Sequence, residues 1–466
     1  VVVAVTARHT LGALLVALVG ALGVPAAGAP STGPVAGSAA PLEVVPRPID
    51  SSNQAGWWTP TDLAGDTELI AFNEHLPVDA LGPAATEHTV VLGVRVAGGA
   101  WTFGCIPSGE EGGGCATFAD DCGHRQPSVA IDGAGHLHAF VGMHNSPWRY
   151  YRSTVPGDPR TMVDRSAELP DPSGLVTYPV LARTPDGDVY LAARVREVGS
   201  PVNGRLYRWD VATGSWSRVA VFASQSRFWV YPDDLEVDDL GGVHVVWQWS
   251  YGGAGGLRHL GSHLRYDPST GVFSNAQGVP VPVPATTSSP VAYQPLARGE
   301  SATARLGTAV GIQSAKVAVV PGTTTPMIVY RFREVDGGPF QVRRARPTGS
   351  GWSRDLIYGG AYDTFAAIDI THNVDSVRVY YVKRNTKTID QAHMAEKGLT
   401  GGFVEHSIAP GRTVERLSVV MDESGTDRAY LVDLAVPRAL RADPRTSEDP
   451  PCPGPAGLLY VTAIDR

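Results

Sequence analysis

The sequence predicts an all-β protein built as a β-propeller, on three observations. A hairpin unit recurs along the chain, a second turn motif follows most of its copies, and the composition suits short strands joined by tight turns. The hairpin unit is a strand, a turn rich in Asp and Gly, and a returning strand that ends in aromatic or branched residues. Its copies are 57–72 (WWTPTDLAGDTELIAF), 127–142 (PSVAIDGAGHLHAFVG), 178–194 (YPVLARTPDGDVYLAAR), 233–249 (DDLEVDDLGGVHVVWQW), 315–332 (AKVAVVPGTTTPMIVYRF), 366–384 (AAIDITHNVDSVRVYYVKR) and 417–433 (LSVVMDESGTDRAYLVD). Self-similarity at a period of about fifty residues marks a propeller in which each copy is one blade. Seven copies predict seven blades, with six or eight as the alternatives.

The second motif is carried by GGAWTF (98–103), DVATGSWSR (210–218), DPSTGVFSN (267–275) and TGSGWSR (348–354). These look like degenerate Asp-box turns, expected to join outer strands and to pack an aromatic between blades; they carry no chemistry. LLYVTAID (458–465) is a free strand at the C-terminus, expected to complete the first blade and close the ring, which removes the edge an open sheet would expose. The interval 278–313, rich in Pro, Thr and Ala, lacks strand alternation and reads as a long loop over one face.

Composition narrows the function classes. Charged residues make up 18% of the chain, with 53 Gly and 37 Pro, which favours turns over long helices. Of 38 basic residues, all but Lys316, Lys383, Lys387 and Lys397 are arginine, whose planar fork suits carboxylates and sulfates. A GC-rich genome gives the same bias without function. The net charge of −8 argues against broad nucleic-acid binding.

The N-terminus reads as a secretory signal: Arg8 and His9 precede the apolar run 11–24, and AAGA (26–29) offers a cleavage site. The run is too short for a membrane span. The expected organisation is a signal peptide at 1–29, a flexible leader at 30–55 and a propeller domain at 56–466, in a secreted monomer with no membrane anchor. Cys105, Cys115, Cys122 and Cys452 fit no zinc finger or ribbon spacing, and export favours disulfides. Three connectivities are open; Cys452 beside the closing strand makes a link to the first blade physically sensible, and Cys122 could tether the loop before His124. Zinc held by some of these thiols with His124 is the lesser reading.

The most specific stretch is 120–152, DDCGHRQPSVAIDGAGHLHAFVGMHNSPWRYYRS. His124 and His144 flank one hairpin, so both imidazoles are expected at the same sheet edge, where paired histidines can neutralise a carboxylate, move a proton or hold a metal. The plainer alternative is that each caps a strand end. His136, His138 and His244 fall inside strands and read as packing residues.

This stretch resembles the signature region of the BNR-repeat propeller family that includes the ulvan lyases, whose pattern runs GHN-x-PS-x-AVD-x-DG-x-IH and then GMHN-x-PLRY-x-RS. The resemblance continues through TYPVLARTPDGDVYLAAR (177–194) and VYPDDLEVDDLGGVHVVWQW (230–249), and covers roughly residues 56–440 in blade order. It implies a lyase acting on a uronic acid by β-elimination. By the resemblance, Tyr178 and His144 transfer protons, His124 and Arg194 neutralise the carboxylate, and Asn145 and Tyr231 are supporting contacts. The family's Trp-x-Trp-Arg is here Trp247, Gln248, Trp249 and Ser250; Arg258 and His259 in the following loop are the expected substitutes.

The resulting expectation is a polysaccharide lyase cleaving rhamnosyl-α-1,4-glucuronate bonds in an acidic, ulvan-like glycan. Related propellers make two alternatives: a rhamnosidase-like glycoside hydrolase acting on arabinogalactan or gum arabic side chains, and a glycan-binding propeller without catalysis. No cofactor is required by elimination, and any Ca²⁺ or Zn²⁺ would be structural. Singly, Tyr178 and Tyr231 could fill space between blades, and Arg194 could pair with Asp186 or Asp188 across its hairpin. The lyase reading therefore requires His124, His144, Tyr178 and Arg194 to share one solvent-open pocket.

Overall fold

Each predicted hairpin forms the two inner strands of a blade, and the seven blades make a β-propeller. The computed structural model describes residues 41–464 apart from 51, 54–56, 77–86, 110–112, 120–124, 254–257, 305–309, 337, 362–366, 384–390 and 434–455. The innermost strands are Thr61–Ala64, Ser128–Ile131, Leu175–Arg183, Phe228–Val237, Gly311–Val319, Ile368–His372 and Arg416–Met421, in blades 1 to 7. Every blade runs outward as an antiparallel meander from its innermost strand. Among the described residues, no helix is long and apolar enough to cross a membrane.

Ring closure uses both ends of the described chain, with one difference from expectation. The C-terminal strand Leu458–Ile464 lies in blade 7, not blade 1: it pairs with Asp427–Asp433 on one side and with Glu43–Val44 on the other. The N-terminal strand is therefore the outermost strand of the last blade. A chain that leaves blade 7 to enter blade 1 ties the ring by hydrogen bonds, so no blade is left as a loose edge.

Side chains seal the joints between blades. Around the channel, Asp62 accepts a hydrogen bond from the Ile131 amide (2.7 Å), Asp234 from Val317 (2.9 Å) and Asp369 from Val419 (2.7 Å). Each carboxyl thus satisfies an inner-strand amide of the next blade. Further out, the turns of blades 2 and 3 touch: the Gly133 amide donates to Gly187 O at 2.8 Å, and a Cβ on Gly133 would meet the Gly187 Cα at 2.7 Å. Only glycine permits that approach.

The Asp-box-like turns play the structural part assigned to them. Asp210 accepts from the Thr213 amide, and Trp216 packs edge-on against His138, Phe140 and Tyr150 of the preceding blade. Two of the three histidines read as strand packing residues are buried likewise; His136 stands just before its strand, half-buried, with Nδ1 2.8 Å from Ser153 O. His138 bonds Asp132 (3.1 Å) and His244 bonds Asp238 (3.2 Å), and each aspartate is also held by an arginine of the third strand, Arg152 or Arg265.

The interval 278–313 departs from the loop prediction. Val281, Ala285 and Val291 join the core between blades 3 and 4, and Ala292–Gln294 adds a strand beside His259–Asp267. Its apolar residues are spaced by prolines, which hides them from a period-two reading. Cys105 and Cys115 form a disulfide at the rim of blade 1. Cys122 and Cys452 lie outside the described residues, so the suggested link from Cys452 to the first blade does too.

Candidate active site

The inner strands of blades 3, 4 and 5 are interrupted at the same level. Register jumps between Thr177 and Val180, between Pro232 and Asp234, and between Gln313 and Ala315. A bulge re-aims the side chains around it, and here it separates a channel half from a mouth half of each strand. The channel half lines a cavity of about 280 Å³ containing Asp62, Asp234, Glu236, Lys316 and Asp369. The mouth half builds an aromatic pit.

Tyr178 lies at the first bulge with φ of 55°. That left-handed conformation is costly for a bulky residue, the more so before a proline, and strain of this kind persists where surrounding packing imposes it. The strain turns the Tyr178 ring against Trp58 (centroids 5.7 Å apart) and Tyr231 (5.5 Å). Trp57 and Trp229 complete the cluster. Trp229 rests on Gly253, where a Cβ would come within 2.3 Å of the indole. Trp58 also lines the channel cavity and so forms the partition between channel and pit.

Two guanidiniums enter this cluster. The Arg194 Cζ lies 4.8 Å from the ring centroids of both Tyr178 and Tyr231 and 5.2 Å from Trp229. The Arg258 Cζ lies 4.2 Å from Tyr231 and 5.4 Å from Trp57. Exposure is only 2% for Arg194 and 6% for Arg258. Among the described residues, the only acid in ion-pair reach of either is Asp233, whose Oδ1 is 4.0 Å from Arg258 Nη1. Arg194 has a neutral partner instead, Asn145 Oδ1 at 3.3 Å.

The strand bearing Asn145 explains how blade 2 contributes. His144–Ser146 leaves blade 2 and pairs with the inner strand of blade 3, with His144 opposite Thr177 and Ser146 opposite Val176. This revises the placement of His144 at the edge of its own hairpin: it arrives at the next blade, one residue from the register of Tyr178. Asn145 adopts φ of 50°, which Asn tolerates, and its amide donates to Thr177 Oγ1 at 2.8 Å. His144 itself is half-buried.

Asn145, Tyr178, Arg194, Tyr231 and Arg258 are therefore brought together, with the backbone of His144 paired beside them at Thr177. His124 lies outside the described residues. The expectation of an open pocket needs correction, because Tyr178 is only 4% exposed and Tyr231 5%. The tandem tryptophans Trp57 and Trp58, which begin the first repeat unit, pack over the tyrosines. Arg194 does not pair across its hairpin; Asp188 is bound by Arg208 instead. Arg258 occupies the pit as the suggested substitute, whereas His259 is buried against Glu300 at 2.5 Å. Trp57, Trp58, Trp229 and Asp233 were not singled out by sequence. The WWTP run and the acid following Tyr231–Pro232 were the available signals. Among the described residues no group of three or more His, Cys, Asp or Glu side chains is arranged to hold a metal ion.

Comparison with known proteins places this geometry in context. The description of a BNR repeat-containing family member matches residues 82–347. A solved ulvan lyase of polysaccharide lyase family PL25 superposes with a TM-score of 0.60 at 15% identity, over 84% of this chain and 93% of that one. A structure of such a lyase bound to a GlcA(1-4)Rha3S saccharide gives 0.59 at 14% identity, with the same coverage. The polysaccharide lyase Uly1 gives 0.58 at 13% identity, over 94% of each chain. At these identities the likeness establishes a shared fold. No curated protein matches the sequence.

Proposed function

The chain belongs to the BNR repeat-containing family, and from that premise we propose that it is a polysaccharide lyase cleaving rhamnosyl-α-1,4-glucuronate bonds by β-elimination. One observation carries the reading: two nearly buried guanidiniums in an aromatic pit, balanced among the described residues by one buried acid. Buried charge without a partner is expensive, so a site of this kind is built for an anion that arrives with its ligand. Aromatic walls and a carboxylate-sized excess of positive charge suit an acidic sugar. The structure of a PL25 ulvan lyase bound to a GlcA(1-4)Rha3S saccharide is consistent with that class.

Elimination requires removal of the proton on carbon 5, next to the uronate carboxylate, and departure of the oxygen on carbon 4. The C5–H electron pair forms the C4=C5 double bond as the C4–O bond breaks, and the leaving oxygen takes a proton. Negative charge builds on the carboxylate as the proton leaves. In this reading Arg194 meets it with a two-pronged contact, assisted by His124, and holds it in a water-poor site where charge stabilisation is strongest. Tyr178 and His144, near each other through the strand pairing at Thr177, serve as the proton-transfer pair, a role that requires Trp57 and Trp58 to move off the buried Tyr178 ring when the sugar enters. Asn145 fixes the direction of Arg194, Tyr231 supplies the wall between the two arginines, and Arg258 adds a second cation. The apolar run at 11–24 supports action outside the cell.

The test is ultraviolet absorbance during incubation with ulvan and, separately, gum arabic. A 4,5-unsaturated uronate absorbs where the substrate does not. A rise with one glycan is expected, and Tyr178→Phe should reduce the rate by about 10²–10⁴ while the fold is retained. Free rhamnose or new reducing ends without absorbance would instead establish hydrolysis. Binding with neither product would leave a non-catalytic glycan-binding propeller.

A further inference from the structure

Asp233 follows Tyr231 and Pro232 directly and sits on the blade 4 bulge, where Pro232 pairs with Trp247 and Asp234 with Val246. The bulge parts two adjacent carboxyls. Asp234 turns into the channel, to Lys316 Nζ (3.3 Å) and the Val317 amide (2.9 Å). Asp233 stays behind the pit wall, fully buried, its Oδ1 4.0 Å from Arg258 Nη1. Among the described residues neither of its oxygens has a hydrogen-bond partner. Buried polar groups with unmade bonds are uncommon and call for a reason. A carboxylate whose nearest cation among the described residues is one guanidinium, at 4.0 Å, is poorly held in its charged form.

We infer that Asp233 is a built-in counter-charge to Arg258, competing from behind the wall with the acidic ligand that enters from the front, and so governs how tightly the pit holds an anion. The inference rests on the anion-binding reading above. Burial pushes the Asp233 carboxyl up to about 7, against the pull of Arg258, Lys316 and Arg331, while Asp234 pushes the same way. Tyr293 also lies within its field, and Arg194 stands over the other side of the cluster, against Tyr178 and Tyr231. When Asp233 is protonated, Arg258 is free to serve the ligand; when it is ionised, part of that charge is already engaged. Anion affinity should therefore weaken as pH rises through neutrality.

The experiment measures binding of sodium glucuronate by tryptophan fluorescence, since Trp57, Trp58 and Trp229 border the pit, between pH 6 and pH 8. The wild-type dissociation constant is expected to rise about tenfold over that range. Asp233→Asn should remove most of the rise and should bind more tightly than wild type at pH 8. Arg258→Gln supplies an independent arm should Asp233→Asn fail to fold: without the guanidinium, binding is weak and the slope again flattened. Wild-type binding with an unchanged slope in the variants overturns this inference alone. Wild-type protein that binds no glucuronate at either pH overturns the inference together with the proposed function.

Discussion

Replacing Arg194 by methionine should make the protein more stable and less active. The guanidinium is 2% exposed and, among the described residues, has one hydrogen bond, to a neutral amide at 3.3 Å. Burying it costs several kcal/mol. Its contacts with three rings return about 0.5–1 kcal/mol each, and the Asn145 bond adds about 1 kcal/mol. The remainder is an unfavourable ~1–2 kcal/mol, on the scale of those principles. Methionine keeps the flexible apolar stem among the aromatics and removes the charge. In a propeller of this length each kcal/mol moves the melting temperature by about 1–2 °C, so Arg194→Met should melt roughly 1–4 °C higher. If Arg194 neutralises the uronate, the same variant loses about 10²–10³ in kcat. Differential scanning calorimetry and the absorbance assay read the two effects on one preparation. A lower melting temperature with retained turnover would show that Arg194 is a structural residue, and the argument from buried charge would fail.

Two further predictions concern stability. Glu236 faces Asp234, Asp369 and Asp62 across the channel, and burial chiefly, with these neighbours, pushes its carboxyl up to about 8. The raised value means that its contribution is fully present below the unfolded value of about 4.3 and is lost as pH rises through the folded value. Glu236→Gln should therefore gain on wild type steadily from pH 5 to pH 8; melting curves whose difference is constant across that range would refute the coupling. Reduction of the Cys105–Cys115 bridge, which closes a ten-residue separation, should cost about 2–3 kcal/mol. That loss should appear as a lower melting temperature in dithiothreitol, absent in a Cys105→Ser, Cys115→Ser variant.

The repeat and its turns were legible in the linear chain because each blade is a local object. A hairpin such as 127–142 needs only its own alternation and its Asp-Gly turn, so all seven hairpins and the packing roles of His138, His244 and Trp216 follow from short windows of sequence. The family resemblance, continuing through 177–194 and 230–249, likewise singled out Tyr178, Arg194 and Tyr231, and the departure at Ser250 pointed to Arg258 or His259; the fold gathers Tyr178, Arg194, Tyr231 and Arg258 in one cluster although up to eighty residues separate them.

What tertiary structure alone decided depends on registry and on contacts between blades. Register jumps at Tyr178 and Asp233 come from how neighbouring blades seat, and no periodicity in a single strand announces them. The crossing of His144–Ser146 to blade 3, the pairing of Leu458–Ile464 with Glu43–Val44, and the packing of Trp57 and Trp58 over the tyrosines are long-range choices of the same kind. The same is true of electrostatics. Side by side in sequence, Asp233 and Asp234 are alike; the bulge sends one to Lys316 and leaves the other buried behind Arg258. Residue type sets what chemistry a side chain can perform, but its partners and its exposure, which determine its charge and its task, exist only once the blades have closed into a ring.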